Sequence, residues 1–214
     1  MKILVTGFDP FGGDKINPAY EAVKMIPSEV AGATIVKEEI PVVFGKCGEV
    51  LGRLIEKHRP DVVMCVGQAG GYSSIAVEKI AVNLAEARIP DNENQQPSDE
   101  AIVEGGPTAY FATLPVKAMV KTIKDHGIPA KVSYSAGTFV CNDIMYRLLH
   151  MINCKYPEIR GGFVHVPFDT AQVVDRPDGT PSMPIATIAK SLEYAIEAIC
   201  LNEKDIDGLA GATH

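Results

Sequence analysis

Residues 2–6 (KILVT) and 61–66 (DVVMCV) are short, almost unbroken apolar runs, and each meets a glycine, Gly7 or Gly67. An apolar run of that length without alternation marks a strand buried on both faces, which is where helices cover a mainly parallel sheet. The segments between such runs carry the helical period. Asn17 and Pro18 supply an N-cap and a first-turn proline ahead of Ala22, Met25 and Ile26, and Pro27 follows. A strand over 34–43 leads to a helix over 45–58 that Pro60 stops. Farther along, the pattern predicts one or two extended segments over 75–82, a helix from Pro115 to Gly127, a strand over 131–135, a helix over 142–156, a strand over 161–166 and a last amphipathic helix over about 184–201. Alternation of this kind predicts an α/β fold, a sheet with helices on both faces. In such folds the binding crevice lies at the carboxyl ends of the strands.

Residues 87–107 show no convincing period, and a loop that long inside a compact domain is usually functional or disordered. The tail after 202 is polar and is expected to be mobile. Nothing in the composition marks an internal boundary, so residues 1–214 are read as a single catalytic domain. A net charge of −7 argues against nucleic acid or an anionic membrane as partner, because no basic surplus is available to meet phosphates. The start of the chain is too short in apolar residues for an export signal, and no later run approaches the ~18 needed to span a bilayer. A cytoplasmic location follows as an expectation, with the five cysteines reduced and no CxxC spacing among them to hold zinc.

Cys141 falls in SAGTFVCN (135–142), between a strand and the first turn of a helix. Free backbone N–H groups and the helix dipole favour a thiolate there, although a buried core cysteine would fit the same pattern. Cys65, inside an unbroken strand, is expected in the core. His165 interrupts the apolar strand GGFVHVPF (161–168), as either a hydrogen-bonded core residue or the base that a cysteine nucleophile needs. Glu78 sits in an apolar extended run, and a buried carboxylate requires a partner. It either orients His165 or faces outward to a surface lysine. In the turn GFDPFGG (7–13), Phe8 and Phe11 either cap the core or hold a flat apolar ligand. His58, His126 and His150 lie on helices and read as surface residues.

GFDPFGG followed by Asn17-Pro18, then GQAGGYSSIAVEKIAVN (67–83), ARIPDN (87–92), SAGTFVCN and GGFVHVPF closely resemble the pyroglutamyl peptidase I family, also called pyrrolidone-carboxylate peptidases. The matching motifs run in order over most of the chain, to about residue 168. The resemblance implies a single three-layer α/β/α sandwich with a mostly parallel, mixed sheet. It implies a thiol peptidase, free of metal and cofactor, that removes an amino-terminal pyroglutamyl residue from peptides and assembles as a cytoplasmic homo-oligomer, often a tetramer. Cys141 matches the family nucleophile, His165 the general base and Glu78 the acid that orients it. Phe8 and Phe11 match the aromatic pair around the lactam ring, and Asn17, Gln68, Phe139 and Val140 fall where the same pocket is lined. Arg88 is a candidate for oxyanion support. The chain departs from the family at Tyr72 and Lys79, where arginine is usual, which puts in doubt whatever a cation at 72 supplies. Two rival readings are an inactive small-molecule binder and an amidohydrolase acting on free amides.

Overall fold

The computed structural model describes residues 1–208, 210 and 211. Four parallel strands form the centre of its sheet: β1 (Lys2–Phe8), β3 (Ala33–Ile40), β4 (Val62–Gln68) and β9 (Arg160–Val166). The two-residue β2 (Glu29–Val30) joins antiparallel at one edge. At the other side β5 (Ile75–Glu78) runs antiparallel to β9, and β8 (Ala130–Ser133) is parallel to β5, giving the order β2-β3-β1-β4-β9-β5-β8. The sheet is therefore mixed and mostly parallel.

Helices α1 (Pro18–Met25) and α3 (Val116–Asp125) each pack on α5 (Ile185–Leu201) over one face, while α2 (Lys46–His58) and α4 (Val140–Cys154) pair over the other. Burial follows this layering: Ile3, Leu4, Val63, Met64, Val66 and Phe163 are fully buried, as two-sided coverage requires. A small hairpin, β6 (Ile80–Val82) with β7 (Ala109–Phe111), lies beside α4 and gathers the ends of the long loop. Among the described residues no helix is long and apolar enough to cross a membrane.

The predicted helices and central strands occur close to their expected bounds. Asn17 caps α1 as the sequence suggests, its Oδ1 accepting from the Ala19 N–H at 3.1 Å. Helix α4 starts at Val140, two residues before the predicted 142, so Cys141 is inside its first turn. Phe139 is the cap there and offers no side-chain acceptor, so the usual start signal is missing. Strands β2 and β7 and a one-turn 3-10 helix at Thr170–Val173 were not predicted, since two to four residues carry no readable period.

The long loop contains neither helix nor strand, yet it is anchored. Asp91 accepts from the N–H groups of Phe44, Glu93 and Gln95 at 2.9, 2.9 and 2.8 Å. Asn92 donates to Asp9 Oδ1 and to the Pro10 carbonyl at 3.2 and 2.9 Å, which ties the loop to the turn after β1. In the tail expected to be mobile, Asp205 accepts from the N–H groups of Lys117 and Ala118, capping α3, which has no cap of its own. Residues 209 and 212–214 of that tail lie outside the described residues.

Candidate active site

Helix α4 brings Cys141 to the sheet as its second residue. In this first turn the N–H groups of Val140 and Cys141 donate to no acceptor among the described residues. Free donors and the positive helix end leave the thiol in a field that favours anionic charge. The sulfur lies close over β4. A Cβ built on Gly67 would stand 2.9 Å from Cys141 Sγ and 2.7 Å from the Phe163 ring, so only glycine leaves room there for the thiol.

His165 occupies the strand position paired with Gly67, one strand over from the sulfur. The antiparallel junction of β5 with β9 sets Ala76 opposite His165 and Glu78 opposite Phe163. Because side chains two apart share a face, Glu78 and His165 are diagonal neighbours on one side of the sheet. Glu78 Oε1 and His165 Nδ1 are 2.8 Å apart, both residues buried. A carboxylate oxygen accepts, so Nδ1 carries the hydrogen and Nε2 is left for the thiol. Glu78 Oε2 has no partner among the described residues. Phe163 and Tyr72 meet the imidazole edge-on, with centroids 4.8 and 6.2 Å away, and hold its plane.

Burial alone would push the His165 pKa down, but the neighbouring Cys141 and the bonded Glu78 outweigh it and raise it above the ordinary histidine value. The raised value favours the imidazolium form of His165 beside the Cys141 sulfur. The other thiols differ. Burial pushes Cys65 up to about 12, and Cys47, buried and donating to Asp143 at 3.1 Å, is raised well above the ordinary thiol. Cys154 is exposed and Cys200 half-buried, and neither lines the cavity that holds Cys141 and His165.

Cys141 and His165 open into a cavity of about 130 Å³. Phe8, Phe11, Asn17, Gln68, Phe139 and Val140 line it, as the sequence reading expected, together with Val42 and Ala136, which that reading missed. Small apolar residues in extended segments give no signal before the chain is folded. The wall is aromatic: Phe139 packs 6.2 Å from Phe11 and 5.3 Å from Phe44, while Phe8, almost fully buried, rests 6.5 Å from Phe163. Asn17 spends its amide on structure, capping α1 and donating to the Asp9 carbonyl at 2.9 Å. Arg88, a candidate for oxyanion support, lies exposed in an adjoining open groove with Glu86 and Ile89 that shares Phe139 with the Cys141 cavity.

Two further residues hold the site without entering it. Asn142 is fully buried, accepting from the Val82 N–H at 3.0 Å and donating to the carbonyls of Val82 and Leu84 at 2.9 and 3.0 Å. Asp143 accepts from Gly45 N–H and from Arg147, which locks α4 to α2. Their signal was a polar pair between Val140 and Ile144 on a helix otherwise built to be buried. Lys131 lies over the Tyr72 ring, its Nζ 4.1 Å from the centroid, so a cation stands behind position 72 even though tyrosine occupies it. Among the described residues no group of three or more His, Cys, Asp or Glu side chains converges to hold a metal.

An α/β sandwich that sets a thiol at a helix amino terminus beside an imidazole and a buried carboxylate is the equipment of a cysteine hydrolase. The sequence profile of the pyroglutamyl peptidase family matches residues 1–202, and the chain belongs to that family of cysteine peptidases. It is 61% identical over its whole length to the full-length pyrrolidone-carboxylate peptidase of Enterococcus faecalis, and 56% identical to that of Clostridium perfringens, with 99% of each chain covered. Among solved structures, pyroglutamyl peptidase I of Bacillus amyloliquefaciens superposes with a TM-score of 0.92 at 49% identity, covering 96% of this chain and 99% of that one. The pyrrolidone carboxyl peptidase of Thermococcus litoralis superposes with the same TM-score, 0.92, at 41% identity, covering 97% and 99%.

Proposed function

We propose that the chain hydrolyses the amide bond after an amino-terminal pyroglutamyl residue, with Cys141 as nucleophile, His165 as general acid and base and Glu78 as the group that orients it. The observation that carries this reading is the 2.8 Å bond between buried Glu78 and His165, which lines a cavity together with Cys141. Pyroglutamate has a lactam in place of a free amine, so its pocket must read ring shape and amide polarity. Phe8, Phe11 and Phe139 offer flat apolar walls, and Gln68 a polar group. Proline, without the lactam carbonyl, would leave that polar group unpaired and bind poorly.

In this mechanism the Cys141 thiolate adds to the pyroglutamyl carbonyl carbon. The oxyanion is met by the free first-turn N–H groups of α4. The imidazolium of His165 gives its proton to the departing amine as the C–N bond breaks, leaving a thioester. Water then loses a proton to the neutral imidazole and attacks the thioester, which releases pyroglutamate and restores the thiolate–imidazolium pair. The same reading makes the protein a cytoplasmic homo-oligomer, a tetramer by resemblance, which sedimentation equilibrium checks.

The test is release of a fluorescent amine from a pyroglutamyl amide under reducing conditions, beside prolyl and leucyl amides. Release from the pyroglutamyl substrate alone, abolished by a thiol alkylator and by Cys141→Ser, is the expected result. Full activity in Cys141→Ser would overturn the mechanism.

A further inference from the structure

Gln172 lies in the one-turn helix after β9, four residues past the end of GGFVHVPF (161–168), and its amide is bonded at both ends. Its Oε1 accepts the backbone N–H of Asp169 at 2.9 Å. A backbone N–H can only donate, so this bond identifies the oxygen and turns Nε2 the other way. The two Nε2 hydrogens then face Gln68 Oε1 at 3.0 Å and Asp14 Oδ2 at 3.1 Å, with the Ile16 carbonyl farther off at 3.5 Å. Asp14 is itself fixed by Arg176, whose Nη2 lies 2.9 and 3.0 Å from its two oxygens.

The chain of donors has one direction, from Asp169 N–H through Gln172 to Gln68. It commits the oxygen of Gln68 to an internal bond, and Gln68 Nε2 donates to nothing among the described residues while its residue lines the cavity. The end of Gln68 with no internal partner is therefore its N–H pair, a donor for a ligand in the cavity. Of the two polar groups of a lactam, a donor can serve only the carbonyl.

We propose that Gln172 is a positioning residue for specificity: it sets the orientation of the Gln68 amide so that the pocket presents a donor to a ring carbonyl. This rests on the pyroglutamyl reading above. Gln172 does not touch the substrate and acts through Gln68.

Gln172→Glu is the informative variant, because the carboxylate still accepts from Asp169 N–H and preserves that local cap, but it cannot donate to Gln68. The Gln68 amide then turns its Nε2 toward the introduced carboxylate and its oxygen toward the ring carbonyl. The expected result is a rise of about ten-fold or more in KM for a pyroglutamyl amide and in Ki for 2-pyrrolidone. The rate of Cys141 alkylation by iodoacetamide should stay at the wild-type level. Gln172→Met, which removes both donor and acceptor without adding charge beside Asp14, should raise both constants less, because Gln68 is then free to rotate. Unchanged KM and Ki in Gln172→Glu would overturn the proposal, as would a parallel fall in alkylation rate, which would mark a merely structural role. Wild-type protein that neither cleaves the pyroglutamyl amide nor binds 2-pyrrolidone would instead remove the lactam reading itself, and the proposal with it.

Discussion

The Cys141 sulfur lies against the backbone of Gly67, so close that a methyl group there would stand 2.9 Å from it. Gly67→Ala would also press on the Phe163 ring at 2.7 Å, and neither neighbour is the free end of a flexible chain. The expected outcome is a folded protein with a lowered Tm, since overpacking costs about 1–3 kcal/mol. Its kcat should fall about a hundred-fold, because the displaced group is the proposed nucleophile. Thermal unfolding and steady-state kinetics check both; wild-type kcat would show that the sulfur has room to move.

Glu78→Gln keeps the shape of the partner at His165 Nδ1 but removes its charge. The imidazolium then loses stabilisation and the ring is free to take the wrong tautomer. A fall in kcat of about a hundred-fold or more, with KM altered far less, is the expected pattern. Comparable changes in kcat and KM would point to a role in packing.

Linkage gives a sign for pH dependence. Despite burial, which acts in the opposite direction, Cys141 and Glu78 hold the folded-state pKa of His165 above its unfolded value of about 6.5. The folded state thus binds this proton more tightly. The resulting stability is fully present below pH of about 6.5 and is lost as pH rises through the raised folded value. Urea unfolding of wild type and His165→Gln should show a stability difference that shrinks as pH rises above about 6.5. A difference that grows with pH would reverse the assignment of charge.

The five cysteines should separate by reactivity. Cys65 and Cys47 are buried with raised pKa values, and stay unlabelled until the protein unfolds. Cys141 lines an open cavity beside His165, and Cys154 is exposed. Limited treatment with iodoacetamide, followed by peptide mass mapping, should show loss of activity in step with labelling of Cys141. Labelling of Cys154 should leave activity intact; inactivation that followed Cys154 would move attention to that face of α4.

Much of this was readable before folding, because it depends on near neighbours in the chain. Unbroken apolar runs identified β1, β4 and β9, and Asn17-Pro18 started α1. Cys141, His165 and Glu78 stood out as polar or reactive groups in apolar company, each with a core or surface alternative, and the family resemblance of the surrounding motifs pointed to their roles and to Phe8, Phe11, Gln68, Phe139 and Val140. Periods of two and of 3.6, caps and breakers act over a few residues, so a sequence displays them directly.

Tertiary structure decided the rest, because strand order, direction and register are set by which distant surfaces bury one another. Nothing local says that β5 runs antiparallel to β9, yet that direction makes Glu78 the diagonal neighbour of His165. Nothing local distinguishes Gly67 from any strand-end glycine until α4 sets Cys141 above it. Arg88, a candidate for oxyanion support, lies in the adjoining groove, while Gln172, which drew no notice in the sequence, bonds the oxygen of Gln68 and leaves the other end to the cavity. The chain alone specified which groups are equipped for chemistry, and their separations and orientations came from long-range packing.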